Sequence, residues 1–392
     1  MPYEIVYENL PVGVSLEAVR GPGQIKVRAL EFVSEEDGDI LIDRLEALGS
    51  ELLSKLPVKP PLQPSQIQHL LAIIRRDRTA TVYVNELELV GTIQGKREFK
   101  KDDVIFLDDI VDVHRFAFEG VNVPNDAGVL LIFSVGWRRA LFYDFTPLHP
   151  DSKEDRQFDL EAQLAQFYSY MMFQRRFKIT ENEWKNLFDS QWFPFITLKD
   201  VTIRNLLSHA VNGWPLDDLI DGVAEETKAS APRMLERWKS SPTFANHLPF
   251  LEKAVEHYLR GDFLSTTAMV YPRVEGLLRT NQRQSDPTAQ ASQGGLSKSA
   301  VKKAEAERHA STPLLPGKFQ QYLKDVYFAA FNPNDPKICV SRNSVGHGVA
   351  SAEECSLKSA TISLLLVDQL CYSFSTPSDK ATVGSAKTPA QT

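Results

Sequence analysis

The sequence predicts an α+β protein, with an N-terminal mixed domain built on an antiparallel sheet at residues 1–150 and a mainly α-helical C-terminal region. Three observations carry that prediction. Between Thr79 and Phe145, Val, Ile, Phe and Tyr recur with a period of two and are punctuated by Gly and Asn, the pattern of half-buried strands joined by turns. From Gln157 onward the alternation gives way to apolar residues at helical spacing, beginning with Leu160, Leu164, Phe167 and Met171. The chain has 392 residues, 43% hydrophobic and 24% charged, which exceeds what one core usually serves and leaves ample apolar material to bury.

In chain order, Ser34 is expected to cap a helix through Ile40, Leu41, Leu45, Leu48 and Leu52, with Asp37 at its third position. The proline-rich stretch 57–64 stops that helix, and Ser65 opens a second short one. Strands are then expected within 79–89, 104–118 and 128–145.

In the helical region, Thr180 and Glu183 form a capping box for a helix carrying Trp184, Leu187 and Phe188. Asp200 opens another through Ile203, Leu206 and Leu207, which Asn212-Gly213 ends. These segments make 151–245 a helical linking region. Leu251, Val255, Tyr258 and Leu259 share a face of a helix at 248–260; Gly261 stops it and Asp262 caps the next, at 263–279.

Residues 281–318 are rich in Gln, Ser, Gly, Ala and Lys and poor in large apolar groups, so they read as a mobile, mildly basic insertion with one short helix at 297–308. Structure resumes with Phe319, Tyr322, Leu323, Val326 and Tyr327. Asp335 as cap, Pro336 at the first position and Gly348 as stop frame a helix of about twelve residues. A Ser351/Glu354 capping box opens a final, broadly apolar helix with Ile362, Leu364, Leu365, Leu366, Val367 and Leu370. Residues 246–374 thus read as one helical domain, and 375–392 have the composition of a disordered tail.

Charge and composition exclude some function classes. A formal charge of −7 argues against a protein that coats nucleic acid nonspecifically, so any nucleic-acid contact must be local. The longest apolar stretches, 128–135 and 362–367, fall far short of a membrane span. The opening Met1-Pro2-Tyr3-Glu4-Ile5 has neither a basic segment nor an apolar run, so the expected compartment is the cytosol. Cys339, Cys355 and Cys371, with no CxxC pairing, suit reduced thiols. His69, His114, His149, His247, His257 and His309 show no ligand spacing, and no metal or cofactor is expected.

The segment Arg342-Asn343-Ser344-Val345-Gly346-His347 carries the most chemistry. At 100° per residue Asn343 and His347 share a helix face, whereas Arg342 lies about 140° from His347 and must reach round or act from a second subunit. Imidazole titrates near neutrality, so His347 could take the proton from a ribose 2′-hydroxyl or give one to the leaving 5′-oxygen. Arg342 could stabilise charge on the phosphate, and Asn343 could orient either partner. Gly346 and Gly348 suit a close approach of backbone or phosphate. The nucleophile would belong to the substrate, which selects RNA over DNA.

The same spacing recurs in Arg204-Asn205-Leu206-Leu207-Ser208-His209, so spacing alone decides little; Leu206 and Leu207 suggest ordinary packing, which makes that copy the weaker rival. Trp137-Arg138-Arg139, with Phe142 and Tyr143, could stack and clamp a nucleotide, although such a segment is more often a hairpin with outward charges.

The flanks favour the second copy. A helix, the turn Gly261-Asp262, a helix containing Tyr271-Pro272-Arg273-Val274-Glu275-Gly276-Leu277-Leu278-Arg279, then Arg342-Asn343-x3-His347-Gly348 and a closing helix resemble the HEPN superfamily over residues 248–373, about a third of the chain. The resemblance implies a four-helix bundle that pairs with a second copy, so that two Arg/His motifs line one cleft. It implies metal-independent cleavage of RNA, with tRNA among the candidates, in bacterial defence or toxin systems. Carried over, it assigns catalysis to Arg342 and His347 with Asn343 and Gly348 in support, and it leaves the 1–150 domain to sense a trigger or dock an antitoxin. Glu275, beside the apolar face of Tyr271 and Leu278, would pair with Arg342 or, four residues on, with Arg279. The 281–318 insertion departs from a compact bundle. A non-catalytic RNA-binding adaptor and a purely structural helical protein are the alternatives.

Overall fold

The computed structural model describes residues 2–7, 17–18, 25–26, 29–35, 37–148, 154–288, 292–331, 339–375 and 382–386. The chain is α+β and divides into two compact units. Its N-terminal elements are β1 (Tyr3–Val6), β2 (Glu17–Ala18), β3 (Ile25–Lys26), β4 (Leu30–Val33), α1 (Gly38–Arg44), α2 (Ser50–Ser54), β5 (His69–Ile74), β6 (Thr79–Val84), β7 (Leu89–Gly95), β8 (Ile110–Phe118), β9 (Gly128–Val135) and β10 (Arg138–Asp144). There follow α3 (Leu160–Phe177), α4 (Glu181–Asp189), α5 (Asp200–Asn212), α6 (Ile220–Ser240), α7 (Leu248–Leu259), α8 (Phe263–Ser285), α9 (Gln293–Glu307), α10 (Pro316–Tyr322), α11 (Arg342–Gly346), α12 (Leu357–Phe374) and β11 (Thr382–Ala386).

The first unit comprises residues 1–92, 115–172 and 383–392. Its six-stranded sheet, ordered β1-β6-β5-β9-β10-β4, is antiparallel at every register given by its paired strands. One face meets Leu41, Leu45, Leu48, Leu52 and Leu53 of the α1–α2 stretch through Leu70, Ala72, Ile74, Leu130, Ile132 and Leu141. The opposite face carries Phe133 and Phe142, against which α3 lays Phe167 and Tyr168. All six residues of β5 are buried, so it shows no alternation and escaped the period-two reading. Asp37 rather than Ser34 stands at the cap position of α1, but its carboxylate turns back to accept from Val33 N at 2.9 Å instead of capping the helix, while the Ser34 hydroxyl accepts from Arg139 N. The expected helix at Ser65 is a single turn at Pro64–Gln66, and the expected strand at 104–118 begins only at Ile110.

The second unit comprises residues 93–114 and 173–382. One apolar cluster runs unbroken from Trp184 to Phe374, so no boundary near residue 246 separates a linking region from a helical domain. Helix α8 lies at its centre, packed on α7, α9, α11 and α12. The expected mobile insertion is instead part of that core: Leu296, Ala300, Val301 and Ala304 of α9 are buried. Beyond it, Arg308 Nη1 donates to Asp112 at 2.8 Å with both side chains fully buried, and the Thr312 hydroxyl donates to the same oxygen. A second buried carboxylate, Asp368 of α12, accepts from Arg237, Trp238 Nε1 and the Thr197 hydroxyl. Within the expected tail, 382–386 form a strand; 376–381 and 387–392 lie outside the described residues. Among the described residues no helix is long and apolar enough to cross a membrane.

Candidate functional site

Asp335 and Pro336 lie outside the described residues, and the helix that carries the motif is short: α11 spans Arg342–Gly346 and starts from Ser341. Two serines replace the usual Ser and Glu of a capping box, Ser341 Oγ accepting from Ser344 N and Ser344 Oγ accepting from Ser341 N at 2.9 Å. Ser341 Oγ also donates to Ala329 O at 3.0 Å. Asn343 ties the helix down: its Nδ2 donates to Phe328 O and Ala329 O at 2.9 and 3.2 Å, and its Oδ1 accepts from Gln293 Nε2 of α9 at 2.9 Å. Asn343 is therefore a brace between segments, with its amide turned to backbone and Gln293 rather than to His347.

His347 closes α11 and is exposed, its ring centroid 5.7 Å from that of Phe331. Gly348 follows at φ +70°, the left-handed conformation that ends a helix, and Val349 N returns to Ser344 O at 3.0 Å. A Cβ at Gly348 would meet nothing within 4 Å, and one at Gly346 would meet only Arg342, no nearer than 3.6 Å. Both glycines thus serve the chain's own turn; neither is held open by a neighbouring backbone.

Arg342 reaches α8, where its Nε pairs with Glu275 Oε2. Arg279 Nε donates to the other oxygen, Glu275 Oε1, at 2.8 Å, so both partnerships open to Glu275 in the sequence are made at once. The Glu275 carboxylate is nearly enclosed, whereas the guanidiniums of Arg342 and Arg279 keep 30% and 38% of their side-chain exposure. One carboxylate between two guanidiniums leaves a net positive charge facing solvent. Beneath it, the Tyr327 hydroxyl donates to Tyr271 O at 2.7 Å, and burial together with Glu275 holds that phenol well above its usual range. Arg342, Asn343 and Glu275 therefore form one linked cluster; among the described residues no hydrogen bond joins it to the His347 ring.

The rival copy is a helix surface. Arg204 pairs with Asp200 one turn back, at 3.1 Å, and Asn205 is exposed. His209 Nδ1 lies 2.9 Å from Pro215 O, with Trp214 edge-on, which is how a histidine finishes a helix. In the other aromatic segment Phe142 and Tyr143 are fully buried and cannot stack on a base. Arg139 donates to Ile67 O at 2.8 Å, and only Trp137 stands out at the hairpin turn, 67% exposed.

The roles of Gln293, Ser341, Ser344 and Phe331 at this site were not anticipated. The short helix expected at 297–308 is α9, Gln293–Glu307; what its overall polarity hid is the buried face of Leu296, Ala300, Val301 and Ala304. Among the described residues no three of His, Cys, Asp and Glu cluster as a metal site. Searches against family models, curated proteins and solved structures find no match to this chain. The HEPN resemblance therefore rests on the residues of the motif and its flanks.

Proposed function

We propose that this chain is a HEPN-type RNA endonuclease that works without metal. The carrying observation is the exposed His347 imidazole at the end of a helix that Ser341, Asn343 and Ser344 pin in place, with the partly exposed Arg342 at its start. A braced backbone with working groups open to solvent suits catalysis, because geometry is set before substrate arrives. In this reading the ribose 2′-oxygen attacks phosphorus, the bond to the 5′-oxygen breaks, and a 2′,3′-cyclic phosphate forms. His347 takes the 2′-hydroxyl proton. The surplus positive charge of Arg342 and Arg279 around Glu275 steadies the phosphate. One exposed imidazole serves one proton transfer, so the proton for the leaving oxygen comes from a second copy of the motif in a homodimer. Such a protein would act on RNA, tRNA among the candidates, in the cytosol, with the sheet-bearing unit docking a trigger or antitoxin in a bacterial defence role.

The Arg342–Glu275 pair favours a second reading, a non-catalytic RNA-binding adaptor, because an arginine already paired can hold a phosphate without driving turnover. Incubating purified protein with total tRNA and a structured RNA in excess EDTA separates the two. The nuclease reading expects cleavage that falls by roughly 10²-fold or more in His347→Ala and persists in His209→Ala. His347 is exposed, so its replacement leaves stability within about 0.5 kcal/mol. Wild-type protein that binds these RNAs without cutting them would sink the nuclease and leave the adaptor.

A further inference from the structure

One aromatic ring beside the motif is not part of the core. Tyr327 and Phe328 belong to the apolar cluster of the helical unit, whereas Phe331 is half-buried and stands outside it. Two side chains, one from the motif helix and one from its cap, hold this stretch. Asn343 Nδ2 donates to Phe328 O at 2.9 Å and to Ala329 O at 3.2 Å, and Ser341 Oγ donates to Ala329 O at 3.0 Å. The Phe331 ring comes to lie beside the exposed His347 imidazole, 5.7 Å between centroids and tilted by 51°. The residues that pin α11 therefore also pin an aromatic ring next to its histidine.

Ribonucleotide chemistry gives that ring a task. The base hangs from C1′ of the ribose and the 2′-hydroxyl from the adjoining C2′. A group that takes the 2′ proton has as its neighbour the base of the same nucleotide, the one on the 5′ side of the attacked phosphate. Every base offers a flat π-face, and an aromatic ring accepts it whatever its identity. Arg342, at the start of the same helix and paired with Glu275, is left to the phosphate.

We propose that Phe331 determines which nucleotide is cut: it stacks the base on the 5′ side of the scissile phosphate and so brings the 2′-hydroxyl to His347. This rests on the nuclease reading above and adds its selectivity. The selected base must stand out of any helix, because a stacked and paired base has to be extruded before a side chain can reach its face. Selection is for the presence of a base, not for its identity.

The test uses two unpaired oligodeoxynucleotides, each with one ribonucleotide in the middle and therefore one 2′-hydroxyl. The first carries adenine there; the second carries an abasic ribose with hydrogen in place of the base. Both are incubated in excess EDTA with wild type, Phe331→Leu and Phe331→Tyr, alongside total tRNA. Wild type should cut the adenine substrate about tenfold faster in kcat/KM than the abasic one. Phe331→Leu should cut the two alike, at the wild-type rate for the abasic one, and Phe331→Tyr should keep the preference. Each variant is its own reference, so a loss of folded protein cancels from the ratio. A ring that merely propped up His347 would slow both substrates together in Phe331→Leu and leave the preference unchanged, and that result overturns the proposal. So does a wild type that cuts both alike, or that cuts tRNA and neither oligomer; in each of these cases the nuclease reading survives. A wild type that cuts neither the oligomers nor tRNA sinks the nuclease reading itself, and the selectivity with it.

Discussion

An added methyl group meets very different surroundings at Gly276 and Gly346. At Gly276 it would sit 2.6 Å from His247 Cε1, inside the contact between α7 and α8, and that imidazole is already engaged by the Thr280 hydroxyl at 3.2 Å. Gly276→Ala should therefore cost about 1–3 kcal/mol in urea denaturation, as overpacking does, while Gly346→Ala should stay within about 0.5 kcal/mol. Equal stability of the two variants would mean that His247 can step aside. Glu31 makes a second residue-scale prediction. Burial, then Asp37, pushes its carboxyl up to about 7. Between the ordinary carboxylate range and pH 7 the folded state holds a proton that the unfolded state has released, so stability falls as pH rises through this window and levels off above it. Glu31→Gln should remove that fall from the pH dependence of the thermal midpoint; a wild-type curve flat from pH 4.5 to 7 would contradict the assignment.

At the scale of elements, α9 is where composition and structure part. Its polar, glycine-bearing sequence predicts mobility, yet Leu296 and Val301 are fully buried, Gln293 holds Asn343, and Arg308 just beyond it holds Asp112. Leu296→Ala should cost about 2–5 kcal/mol, a value for a core leucine rather than a loop. Arg308→Met leaves the buried Asp112 carboxylate without its guanidinium, with only His309 and the Thr312 hydroxyl beside it, and about 3–5 kcal/mol is expected. Denaturant midpoints within error of wild type in both variants would return the segment to a tolerated insertion. The motif helix was framed correctly at its end, because a glycine at positive φ after His347 is a local signal. Its start was not legible: Ser341 and Ser344 cap each other through hydroxyls, a pairing that the Ser/Glu pattern does not describe.

Across the whole molecule the two units are interleaved in sequence, since residues 93–114 belong with 173–382 and not with the strands around them. A fragment of residues 173–375 would lack Asp112, the partner of Arg308 and Thr312, and the Lys96 carbonyl that Arg237 uses. It would also open the small cluster of Val111, Ile196, Leu314 and Tyr372. That fragment should show no cooperative thermal transition by circular dichroism, whereas a melt as sharp as the full chain's would show the 93–114 segment to be dispensable. By itself the sequence determined the α+β class, the sheet followed by helices, the starts of α4, α5 and α8, the glycine stops of α5, α7 and α11, and the candidate motif with Glu275 as an ion-pair candidate, because periodicity, caps and turns are written within a few residues of one another. Only the tertiary structure decided that β5 is central, that α9 is core, that Asn343 is a brace and that the Arg176 guanidinium lies enclosed over the Phe173 ring. Those facts depend on partners far away along the chain, as Asp112 and Arg308 are, and burial from such partners leaves no local period to read.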